Sequence, residues 1–313
     1  MVAWTITEPQ RVDMGFDVGT DAAREIKQLR VRLNAGRLTV VGTDGPPRVE
    51  ISNMAGAPIK VTLEDGVMSV VHEDARTWPG MLMPLWWMAF GRRFECDVSV
   101  AVPYETLTRL WLASGSVTAS GLHADVTADC VSGRVTLFGI AGALRAKVVS
   151  GPIEVLGCAG TVELETVSGE IVLADTTSGD VRAKTVSGSV TADLDNPPDR
   201  CDIKLETISG EITIRVREDS DLSVTLSAAH GRVTSEFPGL TGKGTWGSST
   251  TGVIGTSAAG TGRLVATAVG GNIALLRRPI DADFDADFDA GFDDLENDDG
   301  SNAPTAASGS SGR

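Results

Sequence analysis

The residues that could take part in catalysis or metal binding are few and scattered. The three histidines, His72, His123 and His230, have no second histidine or cysteine at ligand spacing and no neighbouring nucleophile, so we expect them at surface or corner positions. The four cysteines lie far apart in the sequence, which suits buried free thiols better than a zinc site. The many Ser-Gly pairs lack the Gly-x-Ser-x-Gly pattern of a nucleophile elbow. The sequence therefore predicts a protein that is not an enzyme, has no catalytic residues and needs no cofactor.

Carboxylates concentrate near the C-terminus, where residues 281–299 contain nine Asp, one Glu and no Lys or Arg. Five of them follow the spacing of a calcium-binding EF-hand loop: Asp285, Asp287, Asp289, Asp293 and Glu296. The position that requires glycine in such a loop is Ala290, so we expect no metal site and a disordered tail. If the tail folded on a partner, three aromatic residues spaced four apart would share one helical face: Phe284, Phe288 and Phe292.

A run of large apolar residues interrupts the rest of the pattern at 78–91. Its candidate docking residues are Met81, Leu82, Met83, Leu85, Trp86, Trp87 and Phe90. One interpretation is a segment that folds back and plugs an open end of the fold. The other is a docking loop for a membrane interface or a groove on a partner, since Arg92 and Arg93 follow directly.

The charge distribution argues against nucleic acid as a partner. The formal net charge is −15, and residues 1–280 account for −6 of it, whereas a phosphate backbone requires clustered Lys and Arg. The N-terminus lacks the basic and apolar regions of a secretory signal, and the longest strongly apolar run is too short to span a bilayer. We therefore expect a cytoplasmic protein without a transmembrane segment, with peripheral membrane contact as an alternative.

A nine-residue repeat underlies the central part of the chain. A corner residue, usually glycine, is followed two and four places later by apolar residues, as Gly133 is by Val135 and Leu137. Apolar residues two apart face one side of a strand, and glycine turns the chain without a Cβ clash. The corners fall at Gly115, Ala124, Gly133, Gly142, Gly151, Gly160, Gly169, Gly179, Gly188, Cys201 and Gly210. The repeat predicts an all-β fold.

Two arrangements fit short strands of this kind, an antiparallel meander and a solenoid that coils in one direction. Between Ser114 and Gly169 the corners alternate between Ser-Gly and Ala-Gly, so that equivalent corners recur at every second repeat. This alternation favours a parallel β-solenoid with two strands and about 18 residues per coil, its coils stacked about 4.8 Å apart.

The regularity divides the chain into three parts. Residues 1–100 are less regular and are expected to cap or continue the solenoid, and residues 101–278 contain the repeats. Residues 279–313 are expected to form the acidic tail. Within the second part, the stretch 244–262 is rich in Gly, Ser and Thr and is expected to be an inserted loop.

Several of these motifs resemble a bacterial family. They are the Val-Ser-Gly-x-Ile/Val repeats at 131–135, 149–153, 167–171 and 186–190, the segment 33–40 (LNAGRLTV) and the segment 98–103 (VSVAVP). Together, over roughly residues 26–278, they resemble the domain of unknown function 4097, also called the putative adhesin, β-strand-repeat family. The resemblance implies a right-handed parallel β-solenoid and supplies no catalytic residues.

The sequence thus predicts a non-enzymatic scaffold or docking module with a protein or envelope partner. Self-association is a second possibility, through solenoid ends that stack as in bactofilin-like filaments. A carbohydrate-active β-helix enzyme would need carboxylates gathered on one face. The outward positions are instead a mixture of threonine and charges of both signs, as at Thr136, Arg145 and Glu154.

Overall fold

The computed structural model describes residues 2–13, 26–56, 58–72, 95–195, 200–243, 248–256 and 260–279. These residues contain no helix, and the all-β prediction is confirmed. The strands are β1 (Val2–Ile6), β2 (Gln10–Asp13), β3 (Gln28–Thr43), β4 (Arg48–Ala55), β5 (Ile59–Glu64), β6 (Val67–His72), β7 (Glu95–Pro103), β8 (Leu107–Leu122), β9 (Val126–Ile140), β10 (Leu144–Ser150), β11 (Ile153–Cys158), β12 (Val162–Ser168), β13 (Ile171–Thr176), β14 (Asp180–Ser187), β15 (Val190–Leu194), β16 (Asp202–Ser209), β17 (Ile212–Arg217), β18 (Leu222–Ala228), β19 (Val233–Ser235), β20 (Thr241–Lys243), β21 (Ser248–Ile254), β22 (Gly262–Gly270) and β23 (Ile273–Arg278).

Each strand alternates between buried and solvent-facing residues, as an extended backbone requires. In β12, Val162 and Leu164 are fully buried, while Glu163 and Glu165 between and after them face outward. The same alternation runs through the other repeats, and the inward residues form one apolar core that extends from Ile6 to Leu275.

In the repeat region, a strand pairs in parallel with the strand two places along the chain. Leu144 of β10 pairs with Val126 of β9 and with Val162 of β12, each two nine-residue repeats away. Ile153 of β11 pairs likewise with Val135 and with Ile171. Two ladders of strands result. The long strands β3, β8 and β9 contribute to both, so that all the described strands belong to one sheet.

The first ladder carries the candidate docking face. Its parallel strands follow one another in the order β6, β3, β8, β9, β10, β12, β14, β16, β22 and β18. The second ladder contains the other half of each repeat, including β11, β13, β15, β17 and β23.

Antiparallel strands finish both ends of the first ladder and the N-terminal end of the second, whose C-terminal end is the parallel strand β19 on β23. At the N-terminal end, β5 pairs antiparallel with β6 and β1, and β4 does so with β7 and β2. At the C-terminal end, β21 pairs antiparallel with β18 and β20. The expectation of an inserted loop over 244–262 was therefore wrong for Ser248–Ile254, because this polar stretch pairs with β18 as a strand of the sheet.

The Ser-Gly corners stack so closely that only glycine fits. Gly151 has a φ of 139°, and a Cβ added there would lie 1.9 Å from the carbonyl oxygen of Gly133. Buried threonines support these corners: the Thr166 and Thr207 hydroxyls donate hydrogen bonds to the carbonyl oxygens of Gly151 and Gly188, respectively. The corners therefore fix the position at which each strand of the first ladder ends.

Candidate docking face

The outward face of the first ladder carries a column of exposed aliphatic side chains. We call this column the valine file: Val131, Val149, Val167, Val186, Ile208 and Val269. Their relative exposures lie between 37% and 51%, whereas the inward residue that precedes each of them is buried. Each member immediately precedes the corner dipeptide of its strand, Ser-Gly in five cases and Gly-Gly after Val269.

The strand registers place the members of the valine file side by side. Val148 pairs with Cys130 and Ser150 with Ser132, so Val149 lies next to Val131. Corresponding registers continue the column strand by strand through β12, β14, β16 and β22. Five spacings of about 4.8 Å give a continuous apolar column about 24 Å long.

A second column, two residues earlier on the first five of these six strands, alternates in charge. We call it the charge file: Asp129, Lys147, Glu165, Lys184 and Glu206. Lys147 Nζ lies 2.7 Å from Glu165 Oε2, and the hydrogen bond that Lys147 donates lowers the pKa of Glu165. The face therefore combines an apolar column with an adjacent column of alternating sign.

Two other outward carboxylates, Glu154 and Glu163, take part in ion pairs and are not gathered into a site. Glu154 accepts a hydrogen bond of 2.7 Å from Arg134 and another of 3.3 Å from Thr136. Glu163 lies 3.2 Å from Arg145. In the described ranges, no three His, Cys, Asp or Glu side chains lie close enough to hold a metal ion.

One of the three histidines does not have the surface or corner position that the sequence predicted. His123 is exposed, stacks on Tyr104 at 5.0 Å and lies 3.2 Å from Glu105. His72 is buried, and its Nδ1 accepts a hydrogen bond from the Asn34 backbone N–H at 3.1 Å. A surface position for His72 was thus a wrong prediction, because the last residue of β6 turns inward beside β3.

The four cysteines are free and buried. Burial raises the pKa of Cys96 to about 12 and that of Cys158 to about 11, and it also raises those of Cys130 and Cys201. A thiol of this kind is protonated at neutral pH and is a poor nucleophile and metal ligand. These residues belong to the core.

Two groups of sequence-predicted residues lie outside the described ranges. They are the docking candidates Met81, Leu82, Met83, Leu85, Trp86, Trp87 and Phe90, and the tail residues Phe284, Asp285, Asp287, Phe288, Asp289, Phe292, Asp293 and Glu296. The valine file is instead a feature that sequence reasoning overlooked. Its signal was present, because the repeated Val-Ser-Gly motif places an apolar residue at an outward position of the strand.

The repeat region also matches a known protein family. The model of the Toastrack DUF4097 family matches residues 47–275, which contain most of both ladders. The chain belongs to the Toastrack family. This finding confirms the resemblance to DUF4097 seen in the Val-Ser-Gly repeats. None of the curated proteins matches the sequence.

Solved structures similar to this Toastrack protein have low sequence identity to it. A putative adhesin from Bacteroides fragilis is 11% identical, with 88% of this chain and 97% of that chain covered and a TM-score of 0.45. A putative cell adhesion protein from Clostridium sporogenes is 12% identical over 87% and 100% of the two chains, with a TM-score of 0.28. A putative lipid binding protein from Parabacteroides distasonis is 10% identical over 86% and 96%, with a TM-score of 0.40.

The described residues of this Toastrack chain include no helix that could cross a bilayer.

Proposed function

We propose that this Toastrack protein is a non-enzymatic scaffold that pairs with a second copy of itself through the valine file. Its frame would be a right-handed parallel β-solenoid of about 18 residues per coil, a repeat architecture in which each coil contacts its two neighbours. Parallel pairs such as Leu144–Val162 agree with this frame. The observation that carries the proposal is the row of six half-exposed aliphatic side chains on one face. Contiguous apolar surface of this kind is unusual on a monomer and is typical of an interface.

The charges on this face favour a second copy of the chain as the partner that covers it. We consider a two-fold axis that lies in the plane of the face, parallel to the strands and between β12 and β14. This axis superposes the valine file on that of the second copy. Val167 then faces Val186 of that copy, Val149 faces Ile208, and Val131 faces Val269. The same axis places Glu165 opposite Lys184 and Lys147 opposite Glu206. One axis therefore matches the whole valine file and four of the five members of the charge file, while Asp129 faces the uncharged Thr267.

The next outward column along the strands is compatible with this arrangement. Glu163 faces Arg182, a pair of opposite charges. Arg145 faces Lys204, but each of these cations has a carboxylate within its own chain, Glu163 at 3.2 Å and Glu206 at 2.7 Å. The intramolecular ion pairs reduce the repulsion between the two cations.

Lateral pairing also suits the ends of the sheet better than a filament of stacked ends. The terminal strands of the first ladder are antiparallel additions, such as β1 on β5 and β20 on β21, and only the second ladder ends in a parallel strand, β19 on β23. A two-fold pair closes on itself and stops at two copies, whereas stacked ends would add copies without limit.

The substitution Val167→Lys tests the proposed dimer. It places two ammonium groups at the centre of the interface, so sedimentation equilibrium at micromolar concentration should change from dimer to monomer. Val41→Lys is the matched control, because Val41 is 41% exposed but lies in the part of β3 that belongs to the second ladder. Monomeric wild-type protein, or loss of the dimer with Val41→Lys as well, would contradict the proposal.

A charge exchange provides an independent test of the same axis. Glu165→Lys alone brings lysine opposite Lys184 twice in the dimer and should weaken it about tenfold or more. Adding Lys184→Glu restores opposite charges across the axis, so the double variant should recover the dimer. If the double variant is as weak as the single one, the axis is misplaced.

A second candidate role is docking of the segment 78–91 to a membrane interface, which its tryptophans and methionines favour. The segment follows β6, which is the first strand in the parallel order of the first ladder, and Val71 of β6 lies on the outward face of that ladder. The double variant Trp86→Ala, Trp87→Ala should abolish binding to neutral phosphatidylcholine liposomes and leave the melting temperature nearly unchanged. A melting temperature lowered by several degrees would support the end-plug interpretation instead.

A further inference from the structure

Three arginines surround a cavity at the N-terminal end of the outward face. The cavity has a volume of about 460 Å³ and lies across β6, β3, β8 and β9. Its outward lining consists of Arg30, Arg32, Ser69, Val71, Arg109, Trp111, Thr127 and Asp129. Three guanidinium groups and one carboxylate give this cavity an excess of positive charge, although the surrounding residues 1–280 are acidic as a whole.

Two of the arginines are direct neighbours without an intervening carboxylate. Arg30 of β3 pairs in register with Arg109 of β8, and the positions on either side of them are Ser69 and Thr127. Among the described residues, no carboxylate lies within 4.0 Å of either guanidinium. Like charges opposite each other destabilise a sheet. An anion bound between them would remove that repulsion.

The rest of this face shows how its other cations are neutralised. Arg145 occupies the same column as Arg109 two strands further on and pairs with Glu163 at 3.2 Å. Arg182 occupies it again on β14 and pairs with Asp180 at 3.1 Å. Within the described residues, Arg30 and Arg109 therefore differ from the other arginines of this column, which have carboxylate partners.

Two contacts restrain the side chains of Arg32 and Arg30. The Cζ atom of Arg32 lies 4.8 Å from the centre of the Trp111 ring, a cation–π contact that restrains the guanidinium plane. Arg30 Nη2 donates a hydrogen bond of 3.1 Å to Gln28 Oε1. Asp129 lies on the side of Trp111 away from Arg32, since Trp111 pairs with both residues in register.

We propose that Arg30, Arg32 and Arg109 bind the phosphate of an anionic lipid headgroup. Guanidinium groups donate paired hydrogen bonds that match phosphate oxygens, and the Ser69 and Thr127 hydroxyls could add two more donors. The position supports a lipid source, because the chain continues from Val71 and His72 into the apolar segment 78–91. In this respect the proposal rests on the membrane-docking role given to that segment, and it applies to the single copy, because the two-fold axis of the dimer sets β8 opposite β18 of the second copy.

A nucleic acid is a poorer match to the same cluster. Binding to a phosphate backbone requires a track of cations that follows several phosphates. Here the column that contains Arg109 continues with Thr127, Arg145 and Glu163. The next arginine in it, Arg145, already pairs with the carboxylate of Glu163.

Vesicle co-sedimentation with the full chain tests the lipid site. Vesicles of phosphatidylcholine are compared with vesicles that also contain phosphatidylglycerol. The wild-type protein should bind the anionic vesicles more tightly, and the double variant Arg30→Gln, Arg109→Gln should lose roughly thirtyfold in that affinity, since each basic residue near such a surface contributes about a factor of five. The control Arg134→Gln, Arg215→Gln removes two cations of the second ladder that have carboxylate partners, Glu154 and Asp193, and should keep the preference.

The outcomes separate the site from the role of the loop. Equal binding of wild type and the Arg30/Arg109 variant to anionic vesicles would overturn the site, as would binding of inorganic phosphate or polyglutamate without binding of vesicles. If Trp86→Ala, Trp87→Ala loses binding to neutral vesicles only, both proposals stand. If that variant binds neutral vesicles normally while the Arg30/Arg109 variant loses the anionic preference, the loop role fails and the site stands. Unchanged circular dichroism and a melting temperature no lower than that of the wild type establish that each variant is folded.

Discussion

At the scale of single residues, burial determines what the reactive side chains of this protein can do. Cys96 and Cys158 occupy inward positions of the sheet, where desolvation raises the pKa values to about 12 and about 11 from an ordinary value of 9.0. The sequence predicted free buried thiols from their wide spacing. The depth of burial follows from which strands cover them, and the spacing contains no information about that.

The raised thiol pKa values predict a loss of stability at alkaline pH. In the unfolded chain the thiols ionise near pH 9, whereas in the folded protein they remain protonated up to about pH 11 to 12. Their contribution to stability is complete below pH 9 and declines as the pH rises from 9 towards 12. Urea unfolding at pH 8, 9, 10 and 11 should therefore show a steeper decline for the wild type than for Cys96→Ala, Cys158→Ala. Equal slopes would show that these thiols do not carry the pH dependence.

At the scale of the strand and its corners, glycine is required for close approach as well as for its backbone angle. The nine-residue pattern located the strands of the repeat region, because apolar residues two apart and a turning residue are local features. It also located the Ser-Gly corners. The stacking of Gly151 directly on Gly133 depends on two strands that are two repeats apart in sequence and adjacent in space.

Alanine substitution distinguishes the two roles of glycine. Gly151→Ala should lower the free energy of unfolding by about 3 kcal/mol, because its Cβ would lie 1.9 Å from the Gly133 carbonyl oxygen. Gly139→Ala is the matched control: Gly139 also has a positive φ, 58°, but the nearest atom to an added Cβ is 3.9 Å away. The control should cost about 1 kcal/mol, the penalty of the left-handed conformation alone. Equal losses in chemical denaturation would show that corner stacking is unimportant.

The nine-residue pattern could not predict the order of the strands at the ends of the sheet. Ile203 of β16 pairs with Leu264 of β22, although all the strands from β17 to β21 separate them in the chain, and β18 pairs on the far side of β22. The polar composition of Ser248–Ile254 indicated a loop, yet the backbone pairs with β18 regardless of side-chain polarity. Hydrogen bonding of an edge strand uses main-chain groups, which every sequence possesses.

At the scale of the whole molecule, the proposed function depends on columns that many strands build together. No single Val-Ser-Gly repeat exposes enough apolar surface to bind a partner, but six in register form a continuous column. The two-fold arrangement uses this column and the charge file at once. We therefore expect light scattering to rise with protein concentration and then level off at twice the mass of the chain, whereas stacked ends would give an unbroken rise.

The sequence by itself determined the all-β class, the inward and outward positions of the repeat strands and the glycine corners. It could do so because side-chain alternation and turn formation are properties of a few consecutive residues. The tertiary structure decided which strands are neighbours, and thereby placed Arg30 beside Arg109 and Val149 between Val131 and Val167. Such columns arise from pairing between segments distant in the chain, whose register depends on the packing of the whole core.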